Sequence, residues 1–452
     1  NAPFGEKSKE WARRWVECES FGGVGLGLFD VSPIMESGCG SFLYDADGKE
    51  YLDFLSGFSV SALGNNNAEI NAIFRKQLDH LTHFFDLPHV ERIKLAEKLC
   101  RSSRMRGSTK VMFGVTGSDA IELAVRAARY FTGQPYILTA YGDYHGVTYG
   151  TMGLTSKGNM QPYFYPVRPN MDVGYFPFPH AYRSPNERYP GFDMGSLKLF
   201  EAMLDGKETP YTDGAYGKCN VAAILVEPFQ SSAGYYIPPR EYLQELRRIA
   251  DRFGMLLIVD EIQAGLGRSG KLWAFEHSGI EPDMICTSKA LGGGLPLSAV
   301  IARAEILEDW GPGAHVSTQA ANVVACAAGN YIIDVVSSEP FLAGVRESGA
   351  YLLERMKDLQ ARHAIVGYLD NCGLYTGIEL VKDRTTKEPA SDAAVFVRDQ
   401  SVKAGLLFEK GGYYHNRLQL IPPLNISRKE LDRAAEILDH VFGAAEKEYG
   451  IG

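Results

Sequence analysis

Along the chain, short runs of apolar residues alternate with longer stretches in which apolar positions recur every three to four residues. From about residue 71 onward, Lys110–Phe113, Tyr136–Thr139, Val221–Val226, Met255–Asp260, Met284–Thr287 and Ser298–Ala302 read as strands. Helical patterns such as Asp119–Phe131 and Glu241–Phe253 lie between them. In the second of these, Leu243, Leu246, Ile249, Ala250 and Phe253 form one stripe. Strands apolar on both sides, separated by helices, predict an α/β fold with a mostly parallel central sheet. Before this region a helix is expected near Lys7–Glu19, and the alternation around Asp45-Ala-Asp-Gly48 predicts a β-hairpin. The stretch Asn159–Thr212 holds eight prolines and reads as a long loop-rich cover over an active site or a subunit interface. Beyond about residue 325 a long helix leads to strands Gly377–Val381, Leu406–Glu409 and Leu418–Ile421, then to a final helix from Arg428. The expected division is an N-terminal segment 1–70 joining a small domain, a large domain 71–325, and a small α+β domain 326–452.

Composition narrows the function classes. With 452 residues, two domains are expected. No apolar run approaches the roughly eighteen residues of a membrane helix. A net charge of −9 with no basic block argues against a nucleic-acid partner. The cysteines (18, 39, 100, 219, 286, 326 and 372) are odd in number, widely spaced and without C-x-x-C. They predict reduced thiols, hence a reducing compartment such as the cytoplasm, and neither a zinc site nor a disulfide framework. The chain starts at Asn1, which leaves room for a trimmed targeting segment.

Two nucleotide-binding patterns fall on one segment, and neither holds. Gly265-Leu-Gly-Arg-Ser-Gly270 satisfies G-x-G-x-x-G, and with Lys271 most of a P-loop. Leu272 stands where a P-loop needs Ser or Thr for magnesium, and the glycines follow the acidic strand instead of preceding it. As a dinucleotide fingerprint they come five residues after the strand and open no helix.

A better constellation spans Glu227 to Thr318. One strand ends in Asp260, and another, twenty-nine residues on, leads into Ser288-Lys289 and a glycine run. In a parallel sheet the carboxyl ends of strands face a common crevice, so Asp260 and Lys289 would project there together. Pyridoxal-phosphate (PLP) chemistry needs this pair. An amine forms the imine and moves the substrate's α-proton, while a carboxylate keeps the pyridine nitrogen protonated. The plain alternative is a turn-capping aspartate and a surface lysine. Thr116-Gly-Ser118 would open the helix from Asp119 and offer free N–H groups to a phosphate, or serve as an ordinary N-cap. Tyr144, before His145, could stack on the pyridine ring or simply pack.

Taken together, Thr116-Gly-Ser, Tyr144-His-Gly, Val226-Glu-Pro-Phe-Gln230, Asp260-Glu-Ile-Gln263 with its glycine run, and Ser288-Lys-Ala-Leu-Gly-Gly-Gly resemble the class III aminotransferases. The resemblance runs from Gly40 to the C-terminal helix. It implies the aspartate-aminotransferase-like (fold type I) PLP fold and a homodimer with shared active sites. By the same resemblance Lys289 is the Schiff-base lysine, Asp260 the pyridinium partner and Gln263 the partner of the ring hydroxyl. Gly117 and Ser118 form the phosphate cup and Tyr144 the stacking aromatic, with His145 beside it. Glu227 is the acid before the proline, and Thr318 is offered to the other subunit's phosphate. The usual Gly-Asn-Pro after that threonine is Ala321-Asn-Val here.

The departures concern substrate. Where many members pair a glutamate with an arginine that grips an α-carboxylate, this chain has Ser232 and Gln419. Arg417, two residues earlier on the same strand face, either substitutes or is an exposed strand-end arginine, the reading surface statistics favour. Phe58 suggests an apolar wall near the cofactor entrance. The expected activity is transamination between an amine or amino acid and a keto acid or aldehyde. Resemblance to racemase and epimerase relatives around Tyr144–Tyr149, Ser231–Gly234 and Gly292–Val300 gives the alternative. A decarboxylating transaminase of the dialkylglycine decarboxylase kind ranks third, because that branch has glutamine and arginine where Phe58 and Gln419 stand.

Overall fold

A computed structural model describes residues 5–20, 33–83, 85, 87–156, 172–183, 194–207, 209–213 and 218–452. The chain divides into two units, residues 69–343 and residues 1–68 with 344–452.

The larger unit is built on a seven-stranded sheet. Its order is Thr109–Gly114, Ser298–Arg303, Met284–Thr287, Leu256–Asp260, Val221–Val226, Tyr136–Ala140 and Val173–Phe176. Ser298–Arg303 runs antiparallel to both of its neighbours, and the other pairings are parallel. Ala223, Leu225, Ile258, Met284, Cys286, Val300 and Ala302 pack with helix Gly117–Thr132 in one core cluster. The intervening Ile224, Leu257, Ile285 and Ile301 are equally buried, so the opposite face is covered too. Each such side chain contributes about 1.5–3 kcal/mol through burial, which is why these strands tolerate no polar alternation.

The smaller unit joins both ends of the chain. The expected hairpin forms as Phe42–Asp45 and Glu50–Asp53. The Asp45 carboxylate closes its turn by accepting from Asp47 N (3.0 Å) and Lys49 N (2.9 Å), and Gly48 supplies the left-handed residue (φ 82°). Leu406–Leu407 adds to this hairpin in parallel, opposite Leu52 and Asp53. A second sheet holds Val366–Cys372, Tyr375–Asp383, Arg417–Leu420 and Glu409–Gly411, and helix Arg428–Tyr449 starts at a Ser427/Glu430 capping box.

Three expectations change. The units part at 68/69 and 343/344 instead of 70/71 and 325/326. Helix Val323–Val336 is buried along most of its length and belongs to the larger unit. It is tied to helix Val90–Ser102 through Lys98 Nζ to Asn330 O (2.9 Å) and Asn330 Nδ2 to Glu91 O (2.9 Å). The expected strand Leu406–Glu409 is two strands, because the chain leaves one sheet after Leu407 and enters the other at Glu409. Of the segment expected as a cover, 159–212, residues 159–171, 184–193 and 208 lie outside the described residues; its described part contains strand Val173–Phe176 and helix Met194–Asp205. Among the described residues, no helix is long and apolar enough to cross a membrane.

Candidate active site

Polar residues gather where the strands of the large sheet end. Val221–Val226 is followed by Glu227, Leu256–Asp260 closes with Asp260, and Met284–Thr287 leads into Ser288 and Lys289. These three strands are parallel, so their carboxyl ends open on one crevice. There they line a cavity of about 170 Å³ with Thr116–Ser118, Tyr144–Gly146, Ser231, Ile262 and Gln263.

Lys289 starts a single 3₁₀ turn, Lys289–Gly292, in left-handed backbone (φ 48°). Such a conformation costs about 1–3 kcal/mol and persists only where its surroundings enforce it. Its amine lies 3.3 Å from Gln263 Oε1. Burial pulls the amine's pKa below the usual lysine value, against the attraction of Asp260 and Glu227. A lysine so placed offers a neutral, nucleophilic amine more readily than an exposed one.

Asp260 is gripped from two sides. Its Oδ1 accepts from Ile262 N (3.1 Å), and its Oδ2 meets His145 Nδ1 (2.8 Å). The second ring nitrogen of His145 lies 3.0 Å from Thr139 Oγ1 and 3.6 Å from Asp143 Oδ2. Burial works to lower the His145 pKa, but hydrogen bonds to Asp143 and Asp260 prevail and carry it up to about 10. The two carboxylates therefore favour the protonated form of the ring behind Asp260. Glu227 accepts from Tyr144 N (2.8 Å) and Ser231 N (3.0 Å). Burial, then the nearby Asp143 and Asp260, push its carboxyl up to about 8.

Helix Gly117–Thr132 opens on the cavity. Thr116 is indeed its N-cap, accepting from Asp119 N (3.2 Å) while the Asp119 carboxylate accepts from Thr116 N (3.0 Å). That capping box leaves the first-turn amides of Gly117 and Ser118 without intrahelical acceptors, beside the positive end of the helix dipole. Gly146 holds φ 127°, a conformation that side chains rarely adopt, and a Cβ there would also press on Ser118 Oγ.

Eight residues expected at the site thus share one cavity: Gly117, Ser118, Tyr144, His145, Glu227, Asp260, Gln263 and Lys289. Thr318 lies in an exposed turn of the same unit. At the Ser231–Ser232 pair it is Ser231 that lines the cavity, while Ser232 is half-buried. Phe58, Arg417 and Gln419 belong to the smaller unit. There the exposed reading of Arg417 fails. It is fully buried, bonded to Asp370 Oδ2 (2.7 Å) and to Glu379 Oε2 (3.1 Å), its register partner on the next strand. The guanidinium is committed to two carboxylates. Ile262 was not foreseen, although an apolar residue between Asp260 and Gln263 was the available signal. The glycine run after it coils on itself, with Gly265 N bonded to Glu261 O (3.1 Å) and Gly267 N to Leu272 O (3.1 Å), and makes no nucleotide loop.

The family model of the class III aminotransferases matches residues 30–442. The chain belongs to that family. Among relatives, the leucine/methionine racemase of Thermococcus litoralis is 35% identical, with 90% of this chain and 89% of the relative covered. The 5-aminovalerate aminotransferase of Pseudomonas aeruginosa is 31% identical, over 93% and 96%. An amine transaminase from an uncultivated Pseudomonas species, solved in its PLP-bound form, superposes with a TM-score of 0.83 at 28% identity, over 94% of this chain and 98% of that one. This class III aminotransferase is a PLP enzyme of fold type I. Its cavity has the donor set that cofactor requires: an amine, a carboxylate, an amide cradle at a helix N-terminus, and an aromatic and an aliphatic wall in Tyr144 and Ile262.

Proposed function

We propose that the enzyme moves an amino group from an amine or amino-acid donor to a keto acid or aldehyde acceptor at the cavity around Lys289. The observation carrying this reading is that Lys289, Asp260 and the Gly117–Ser118 amides line one cavity, spaced along the sheet by three different strand ends. When bound, PLP supplies an electron sink for the bond-breaking step. Lys289 Nζ would hold the cofactor and serve as the group that moves a proton at the substrate carbon. Asp260, with His145 behind it, would pair with the ring nitrogen, and Tyr144 and Ile262 would flank the ring. Gly117 and Ser118 would take the phosphate. Gln263 would take the ring hydroxyl, and the backbone N–H groups of Tyr144 and Ser231 hold Glu227 in the wall.

Thr318, exposed in the single chain, fits a homodimer in which it reaches the partner subunit's phosphate. The odd number and wide spacing of the seven cysteines, with no C-x-x-C, support a reducing, cytoplasmic location.

Product stoichiometry tests the reaction. Given a donor amine alone, a transaminase forms one equivalent of ketone or aldehyde per site and stops until an acceptor arrives. A second reading is favoured by one observation: the 35%-identical relative from Thermococcus litoralis is a racemase. Catalytic loss of an amino acid's optical rotation without an acceptor, and with no keto product, would establish racemisation and exclude the first reading.

A further inference from the structure

Gln263 lies between Lys289 and a residue that the reaction has so far not used. Its Oε1 accepts from Lys289 Nζ (3.3 Å), and its Nε2 donates to the Tyr235 hydroxyl (2.8 Å). Tyr235 is fully buried and holds left-handed backbone (φ 58°) directly after Gly234 (φ 129°). Bonds from Tyr235 N to Ser231 O (3.2 Å) and from Gln230 N to Tyr236 O (3.0 Å) close the turn. A strained, wholly buried tyrosine is costly backbone, and its hydroxyl is desolvated where phenylalanine would bury the same ring without a polar atom.

We propose that Tyr235 is a positioning residue whose hydroxyl holds the Gln263 amide in either of its two orientations. The inference rests on the reading above that Gln263 meets the cofactor's ring hydroxyl. A carboxamide has one donating and one accepting end. Toward the Lys289 amine it presents oxygen here. Toward the electron-rich ring oxygen of PLP it must present its NH₂ group. The end turned away then changes from donor to acceptor, and the partner behind it must serve both. A phenol hydroxyl accepts and donates, whereas a carboxylate only accepts and an ammonium only donates.

Equilibrium PLP binding to the apoprotein and the pH midpoint of the bound cofactor's visible band, measured for Tyr235→Phe, Gln263→Ala and the double variant, test this. Tyr235→Phe is expected to weaken PLP roughly two- to tenfold, the fold-change that one hydrogen bond carries. The band midpoint should rise by roughly half a unit to one unit, because a loosened Gln263 leaves the ring oxygen more able to hold the neighbouring proton. Adding Tyr235→Phe to Gln263→Ala should change neither quantity further. Additive effects, or an unmoved midpoint with only a lowered unfolding temperature, would show a merely structural tyrosine and overturn the proposal. A wild-type protein that takes up no PLP overturns the cofactor reading and this inference together. A wild-type band that Tyr235→Phe leaves unaltered overturns the inference alone.

Discussion

Asp260 receives one hydrogen bond from its own turn and one from His145, whose ring is in turn within reach of Thr139 and Asp143. Asp260→Asn keeps the shape but removes the charge proposed to pair with the ring nitrogen. Turnover should fall by roughly 100-fold or more, the scale of a lost preorganised electrostatic contact, with PLP still bound. Lys289→Ala should abolish both turnover and the visible band, and an unchanged band would sink the central assignment. Glu227 makes a pH prediction. Its carboxyl moves from 4.5 to about 8 on folding, so between those values the native state binds a proton that the unfolded chain does not. Stability is then lost as pH rises through that window. His145, raised from 6.5 to about 10, acts in the same direction over a higher window, its contribution complete below 6.5. Denaturation of the apoprotein should therefore become easier from mildly acid to alkaline pH. In Glu227→Gln the lower part of the decline should flatten while the upper part remains, and a wild-type midpoint independent of pH would contradict both assignments.

At the scale of elements, the turn that carries Lys289 is supported from behind. In helix Val323–Val336, a Cβ on Gly329 would come within 3.0 Å of Leu291 O and of Leu95 Cδ2. Gly329→Val should cost about 1–3 kcal/mol through overpacking. By displacing the 3₁₀ turn it should also weaken PLP uptake, which calorimetric unfolding and cofactor titration would show together. The same helix marks where sequence patterning stopped being informative. Val221–Val226 is legible residue for residue because six buried positions in a row suit only a strand covered on both faces. The membership of Val323–Val336 is decided by distant partners, Glu91 and Lys98, and no local period encodes them. The break between Leu407 and Glu409 has the same origin, since it depends on Leu52 in one sheet and Gln419 in the other. At the site, residues identified by charge or by glycine were readable. Ile262 and Ser231 enter through backbone direction at strand ends. Arg417 was misread because its two carboxylates come from Val366–Cys372 and Tyr375–Asp383, far off in the chain.

For the molecule as a whole, the proposed sharing of active sites between two subunits makes a complementation prediction. Lys289→Ala protein and Thr318→Ala protein, unfolded and refolded together, should yield mixed dimers with one site that has both residues. Cofactor affinity at that site should return to the wild-type value. If Thr318 served its own subunit, every surviving lysine would sit beside an alanine and no site would recover. The parallel pairing of Leu406 and Leu407 with Leu52 and Asp53 has a different consequence, for synthesis. The ribosome releases the first hairpin early but its partner strand some 354 residues later (406 − 52). At about 5–20 residues per second that interval is roughly 18–71 seconds. Residues 69–343 emerge within it and hold the whole seven-stranded sheet. The nascent chain therefore completes its catalytic cavity wall while its own beginning still waits as an unpaired strand edge, the stretch that a chaperone would need to shield.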